Sequence, residues 1–339
     1  MSRPRLLVIA PFAVGLVLLI AYTAYWMYAA GQIRKTVEAS IAVHEESGYE
    51  IEYDRLSVRG WPLRFDVRAL NPAIQAPASE GGWRFAAPEI AGGALPYDLN
   101  HWIVAARSPA MLETVIDGAP ARYRLEAETA RISIAAENGA TNRLGAEMDA
   151  LTVTTLAGAP AMVERLEGLR LTGGVGSDDA MALRLQASDV RFAPGAVEPR
   201  ARAAFGAEAA LFRLDAAVTE WSALAADGDA GLWARAGGRL IVRGAQLVWG
   251  PARLEGEGDL TLDTRARPDG RLSVTLSEPE ALVDALVAGG LISSDQGEAL
   301  RLAALMAPRR DGGVALPFRL QNGGVFLGPA RLADAPPLR

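Results

Sequence analysis

From Leu6 to Tyr28 the chain carries no charged side chain. As a helix rising 1.5 Å per residue, this run reaches about 34 Å, enough to cross a hydrocarbon layer of about 30 Å. It reads as one membrane-spanning helix, so the rest of the chain must fold with that helix attached. Tyr22, Tyr25, Trp26 and Tyr28 gather at its far end, where amphipathic rings favour the membrane interface. The competing reading is a cleaved signal peptide, which needs an apolar core of about 7–15 residues and a small-residue processing site. Ala29-Ala30-Gly31 offers such a site, but the apolar run is too long, and retention as an anchor is the reading taken.

Orientation rests on a near tie, with Arg3 and Arg5 before the span and Arg34 and Lys35 after it. A five-residue tail ahead of a long folded body is the layout of a signal anchor that exports its body. The expected organisation is a cytoplasmic tail over 1–5, an inner-membrane anchor over 6–28, an amphipathic stalk helix over 29–47 and an exported, periplasmic domain over 48–339. A division of that domain into two sub-regions near 200–235 stays open. In the stalk, Ile33, Val37 and Ile41 recur at helical spacing, with the helix stopping near Gly48. That stripe either lies on the bilayer, contacts a partner or packs against its own domain, the last being the ordinary use.

Composition narrows the function classes. The 339 residues hold 34 basic and 40 acidic side chains, two histidines and no cysteine. A basic nucleic-acid binder, a disulfide-stapled module and a thiolate metal or redox site are disfavoured. The absence of thiols is neutral for export. Mean hydropathy is only +0.13, so the chain has one anchor and a folded body. With 35 Gly and 20 Pro, that body should have short elements and frequent turns.

From Tyr49 the pattern changes to alternation. Tyr49, Ile51 and Tyr53 alternate with Glu50, Glu52 and Asp54, and the same period returns at Leu63–Val67, Tyr123–Glu128, Arg131–Ile134, Met181–Gln186 and Leu272–Leu276. Gly-rich groups such as Gly92-Gly93 and Gly173-Gly174 read as turns between them. Ser277 and Glu280 stand at capping-box spacing before a helix ending near Gly289-Gly290, and a second helix starts at Ser294. A short helix is also expected over Ala110–Ile116. The fold class is α+β, mainly antiparallel β: a transmembrane helix, then a curved, hairpin-built sheet with a helical hairpin near the C-terminus. Gln246–Leu254 echoes Gly324–Leu332, each a strand, Gly-Pro turn and strand, as though similar hairpins lie side by side.

Gly60-Trp61-Pro62-Leu63-Arg64-Phe65-Asp66-Val67, Leu95-Pro96-Tyr97-Asp98-Leu99-Asn100, Gly250-Pro251 after Trp249, and Leu316-Pro317-Phe318-Arg319-Leu320 with Gly328-Pro329 resemble the bacterial envelope family DUF2125 along nearly the whole chain. They are more distantly similar to AsmA-like envelope proteins. These motifs are structural punctuation, carried by Gly60, Pro62, Gly250, Pro251, Gly328 and Pro329. The AsmA-like resemblance implies a part in envelope lipid homeostasis with an elongated apolar groove as the working surface. This chain is shorter than the large AsmA-like members, which speaks against an end-to-end lipid bridge made by it alone.

No catalytic pattern stands out. His44 and His101 fit no two-histidine metal motif. The loop Gly173–Asp179 lacks the Lys-Ser/Thr of a phosphate loop. Asp178 and Asp179 with Asp189 or Glu198 lack EF-hand spacing. The carboxylate pairs Glu126/Glu128 and Glu255/Glu257 most simply keep a strand face wet. Lys35 is the only lysine, and the arginines are scattered rather than clustered along a phosphate track. No cofactor, metal or nucleic acid is expected. Six of the seven tryptophans lie in the body, as a core layer or as groove lining. The groove candidates are Trp61, Phe65, Trp83, Trp102, Trp233, Trp249, Leu282 and Leu286. The expected function is a noncatalytic envelope protein, held in the inner membrane through 6–28, that shelters lipid acyl chains or contacts another envelope protein. The alternatives are a scaffold acting through protein contacts and, less favoured, an envelope hydrolase.

Overall fold

The computed structural model describes residues 4–116, 118–137, 140–310 and 312–337. Helix α1 (Pro4–Glu46) carries the apolar run and the stalk without a break. It is long and apolar enough to cross a membrane by length and composition, and Phe12, Val14 and Ile20 stand exposed on it. Gly48, at φ +93°, takes a left-handed geometry that suits glycine and turns the chain into the sheet.

The sheet begins with β1 (Glu50–Glu52), β2 (Arg55–Arg59), β3 (Phe65–Leu70), β4 (Ala73–Gln75), β5 (Arg84–Ala86), β6 (Glu89–Leu95) and β7 (Asp98–Ala106). It continues through β8 (Ala110–Ile116), β9 (Ala119–Glu126), β10 (Thr129–Glu137), β11 (Ala140–Ala157), β12 (Val163–Val175) and β13 (Met181–Phe192). Then come α2 (Pro199–Phe205), β14 (Glu208–Val218), α3 (Trp221–Asp227), α4 (Ala230–Arg235), β15 (Leu240–Trp249), β16 (Ala252–Leu262) and β17 (Pro268–Ser277). The chain closes with α5 (Pro279–Ala288), α6 (Ser294–Met306), β18 (Arg309–Arg310), β19 (Gly313–Gln321), β20 (Gly324–Leu327) and β21 (Ala330–Asp334).

Every pairing is antiparallel, and the order forks at β11. One edge of this 18-residue strand holds β12. Its other edge is shared end to end by β10 and β9. From β10 one arm continues through β7, β6, β3 and β2. From β9 the other continues through β8, β5, β4 and β1. Helix α1 packs on both arm ends, β1 and β2, and so fills the gap of the fork. Trp26, Ala29 and Ala30 of α1 form a buried cluster there with Phe65. Away from the fork, β12 to β17 follow in order, then β19, β20 and β21. Among the described residues the curved sheet does not close on itself. It crosses the 200–235 region without interruption, because β14 pairs with β13 on one edge and β15 on the other.

Several local expectations change. Ala110–Ile116 is strand β8, not a helix, since β5 and β9 flank it and Thr114, Val115 and Ile116 are β-branched. Ser277 is the last residue of β17, laddered opposite Arg253, so it cannot cap α5, whose N-cap Glu278 makes no side-chain cap. The capping box forms at Ser293 and Gln296 of α6 instead. Gly92-Gly93 and Gly173-Gly174 lie inside β6 and β12 rather than in turns. Gly250 and Gly328, at φ +53° and +57°, do turn the echoing hairpins β15–β16 and β20–β21. Helices α2, α5 and α6 pack together at one rim, and α3 and α4 pack at the opposite rim.

An open apolar channel beneath the N-terminal helix

In antiparallel sheets, residues opposite one another point to the same face. Val58 on β2 starts a row that continues through Val67, Gly92, Val104, Ile132 and Ala146. The row runs on through Leu171, Leu185, Leu214, Ala245, Gly256, Val274 and Leu316 on β19. It crosses 13 strands without one polar side chain. At about 4.8 Å per step, its path is roughly 58 Å.

Two parallel rows flank it. One links Trp102, Ile134, Leu144, Gly173, Leu183, Ala216, Val242, Gly258, Leu272, Phe318 and Leu327. The other links Ala130, Met148, Leu169, Ala187, Phe212, Leu247, Leu254, Leu276 and Val314. The rows run together from β10 to β19, about 38 Å, and are about 14 Å across, a footprint of roughly 500 Å². That matches the largest apolar patches of ordinary soluble monomers, which are often functional. In the central row only Val67 is buried; the others keep solvent access, and Ile132 is 50 % exposed.

Toward α1 the face deepens into a cavity of about 860 Å³, within the range of small-molecule sites. Tyr25, Ala29, Ile33, Val37 and Ile41 of α1 form one wall; Leu56, Val67, Ala69, Ile74, Ile90 and Trp102 form the other. The stalk stripe therefore packs over its own domain and roofs the channel. Glycines keep the floor low: a Cβ at Gly92 would lie 3.6 Å from the Trp102 ring.

The opposite face is charged. Glu147 pairs with Arg131 and, at 2.8 Å, with Arg170, which also meets Asp149 at 2.7 Å. Arg184 meets Asp215 at 2.9 Å, Arg239 meets Asp259 at 2.6 Å and Arg310 meets Glu257 at 2.6 Å. Exposed pairs of this kind add little to stability, because water screens them. Their larger effect is to keep this face wet, leaving one face for apolar contact.

Of the eight groove candidates, Trp102 lines the cavity. Phe65 lies fully buried beneath Trp26, and Trp61 is exposed at the β2–β3 turn. Trp83 sets its ring edge-on to Tyr49. Trp233 donates its indole N–H to the Thr219 carbonyl at 2.7 Å, and Trp249 donates to Gly206 at 3.2 Å while packing on Phe192 and Phe205. Leu282 and Leu286 belong to α5 at the rim. The smaller Leu, Val, Ile, Ala and Gly of the three rows carried no individual signal; only their register unites them. Gly60, at φ +103°, closes the turn before Arg64.

His101 Nε2 lies 2.8 Å from the Ser133 hydroxyl. Both sit on the polar face, exposed, and no carboxylate is hydrogen-bonded to His101 among the described residues, so the orienting group of a triad is missing. His44 bonds the Ser40 carbonyl through Nδ1 at 2.8 Å. The loop carboxylates serve backbone geometry: Asp179 accepts from Ser222 N and Oγ, and Glu198 caps α2. No cluster of three metal-ligating side chains occurs among the described residues.

A protein-family model described as an uncharacterized protein conserved in bacteria (DUF2125) matches residues 26–336. No curated protein and no solved structure matches the chain.

Proposed function

This chain belongs to the DUF2125 family, and we propose that it is a noncatalytic, membrane-anchored envelope protein whose open channel shelters lipid acyl chains. The observation that carries this reading is the unbroken apolar row from Val58 to Leu316, covered by α1 at its first strands and left open beyond them, on a sheet whose other face is charged. A scaffold with its sheet closed over its own core would bury such a row. A site for a polar substrate would place hydrogen-bonding groups along it, whereas acyl chains ask only for continuous apolar contact. In this reading the amino terminus is cytoplasmic, α1 crosses the inner membrane and the body stands in the periplasm, with the channel beginning where the helix leaves the bilayer.

The test uses the full chain in its membrane. A photoreactive amino acid replaces Leu185, seven strands and about 34 Å along the sheet from β2, too far to touch the lipid around α1. Irradiation followed by mass spectrometry should find a phospholipid or fatty-acyl adduct there, and none when the same probe replaces Gln186 on the opposite face. No adduct at Leu185, or equal adducts at both, would overturn the reading.

A further inference from the structure

The geometry points to two hairpin ends, Trp61–Leu63 between β2 and β3 and Pro96-Tyr97 between β6 and β7, as feet that dip into the outer leaflet around α1 and hold the channel mouth against the lipid. This inference rests on α1 being a membrane anchor and deepens the proposed function by stating where lipid enters.

Two hydrogen bonds fix the depth. The Tyr22 hydroxyl donates to the Pro62 carbonyl, and the Tyr25 hydroxyl donates to the Pro96 carbonyl at 3.4 Å. Tyr22 and Tyr25 precede Tyr28, the last residue of the apolar run, by about 9 Å and 4.5 Å of helix. An interfacial aromatic at Tyr28 therefore sets both turns at or below the headgroup level, the depth of about 5–10 Å at which interfacial segments bury apolar groups.

The side chains fit that place. Leu63 is 77 % exposed, Tyr97 is 84 % exposed and Trp61 is 48 % exposed, an apolar and aromatic set that the described residues of the chain leave uncovered. Arg59 and Arg64 flank the first foot at the height of lipid phosphates. Other turns on the same rim of the sheet end in polar groups: Asp178 between β12 and β13, Arg265 between β16 and β17, and Asn322 between β19 and β20. The two turns that touch the anchor are the apolar ones. Next to them Tyr25, Leu99 and Trp102 line the cavity, which the depth of the feet sets at bilayer level.

The chain has no cysteine, so single labels are unambiguous. Leu63→Cys and Tyr97→Cys, each carrying an environment-sensitive fluorophore, are reconstituted as full-length protein in phosphatidylethanolamine–phosphatidylglycerol vesicles. Asp178→Cys is the aqueous control. Lipids bearing a nitroxide on the acyl chain should quench the first two labels severalfold more than the third. Equal, weak quenching at all three would overturn the inference. Strong quenching at Leu63 and Tyr97 without lipid capture at Leu185 would leave the feet standing and remove the cargo reading. Lipid capture at Leu185 with both labels unquenched would remove the feet alone.

Discussion

Trp26 of α1 stacks on Phe65 of β3, ring centroids 5.2 Å apart and planes 17° from parallel, and its indole N–H reaches the Arg64 carbonyl at 3.3 Å. Helix α1 and the sheet are thereby one packed unit. Phe65→Ala removes a fully buried ring and should destabilise the body by about 3–5 kcal/mol. Trp26→Ala should loosen mainly the joint. Limited proteolysis of the reconstituted protein reads this as faster cleavage between Ser47 and Arg55, with the rest of the sheet remaining resistant.

Under the proposed function, a carboxylate added to the open rows meets solvent in the free protein and an acyl chain in the loaded one. Ile132→Glu and Leu214→Glu should therefore shift unfolding stability by no more than about 0.5–1 kcal/mol while sharply lowering lipid capture at Leu185. Chemical denaturation and the photocrosslinking yield, measured on the same preparations, check the two halves separately. A loss of stability equal to the loss of capture would mean that these residues are core.

Two glycines on the channel floor should respond in opposite ways. At Gly92 a new Cβ meets only ordinary contacts, 3.6 Å to Trp102 and 3.7 Å to Val104. Gly92→Leu should fill the mouth and reduce lipid entry with little change in stability. At Gly258 a Cβ would sit 2.3 Å from the Arg271 carbonyl, so Gly258→Ala should strain the β16–β17 ladder and destabilise by about 1–3 kcal/mol. Thermal unfolding separates the two variants.

Asp263, in the turn between β16 and β17, is held down to about 2 by the Arg267 guanidinium and by backbone N–H groups of Arg267 and Arg265. A carboxyl whose folded value lies below its ordinary 3.8 stabilises the fold fully above that ordinary value and loses the contribution as pH falls toward 2. Amide exchange at Arg265 and Arg267 should stay protected at neutral pH and rise only in that acid window. Asp263→Asn should remove the acid dependence.

The sequence shows individual elements better than their assembly. Alternation at Met181–Gln186 and Leu272–Leu276 locates β13 and β17, and the echoing Gly-Pro pairs locate two hairpins, because these signals are local. The fork was hidden. Its cause is that β9 and β10, separated only by Ala127 and Glu128, share one edge of β11, and register over such separations leaves no local mark. The groove candidates named from the sequence are mostly large rings, and of these Trp102 lines the cavity. Large rings suggest apolar lining, yet Trp233 and Trp249 carry an N–H that needs a partner, and both find backbone carbonyls at the rims, where strands end and such groups are free.

The position of α1 in the fork has a practical consequence. One wall of the cavity is α1, through Tyr25, Ile33, Val37 and Ile41. A body cut free of it would be a vessel lacking a side, with two arms at liberty to swing together or gape. What such a fragment holds, or fails to hold, would describe another container.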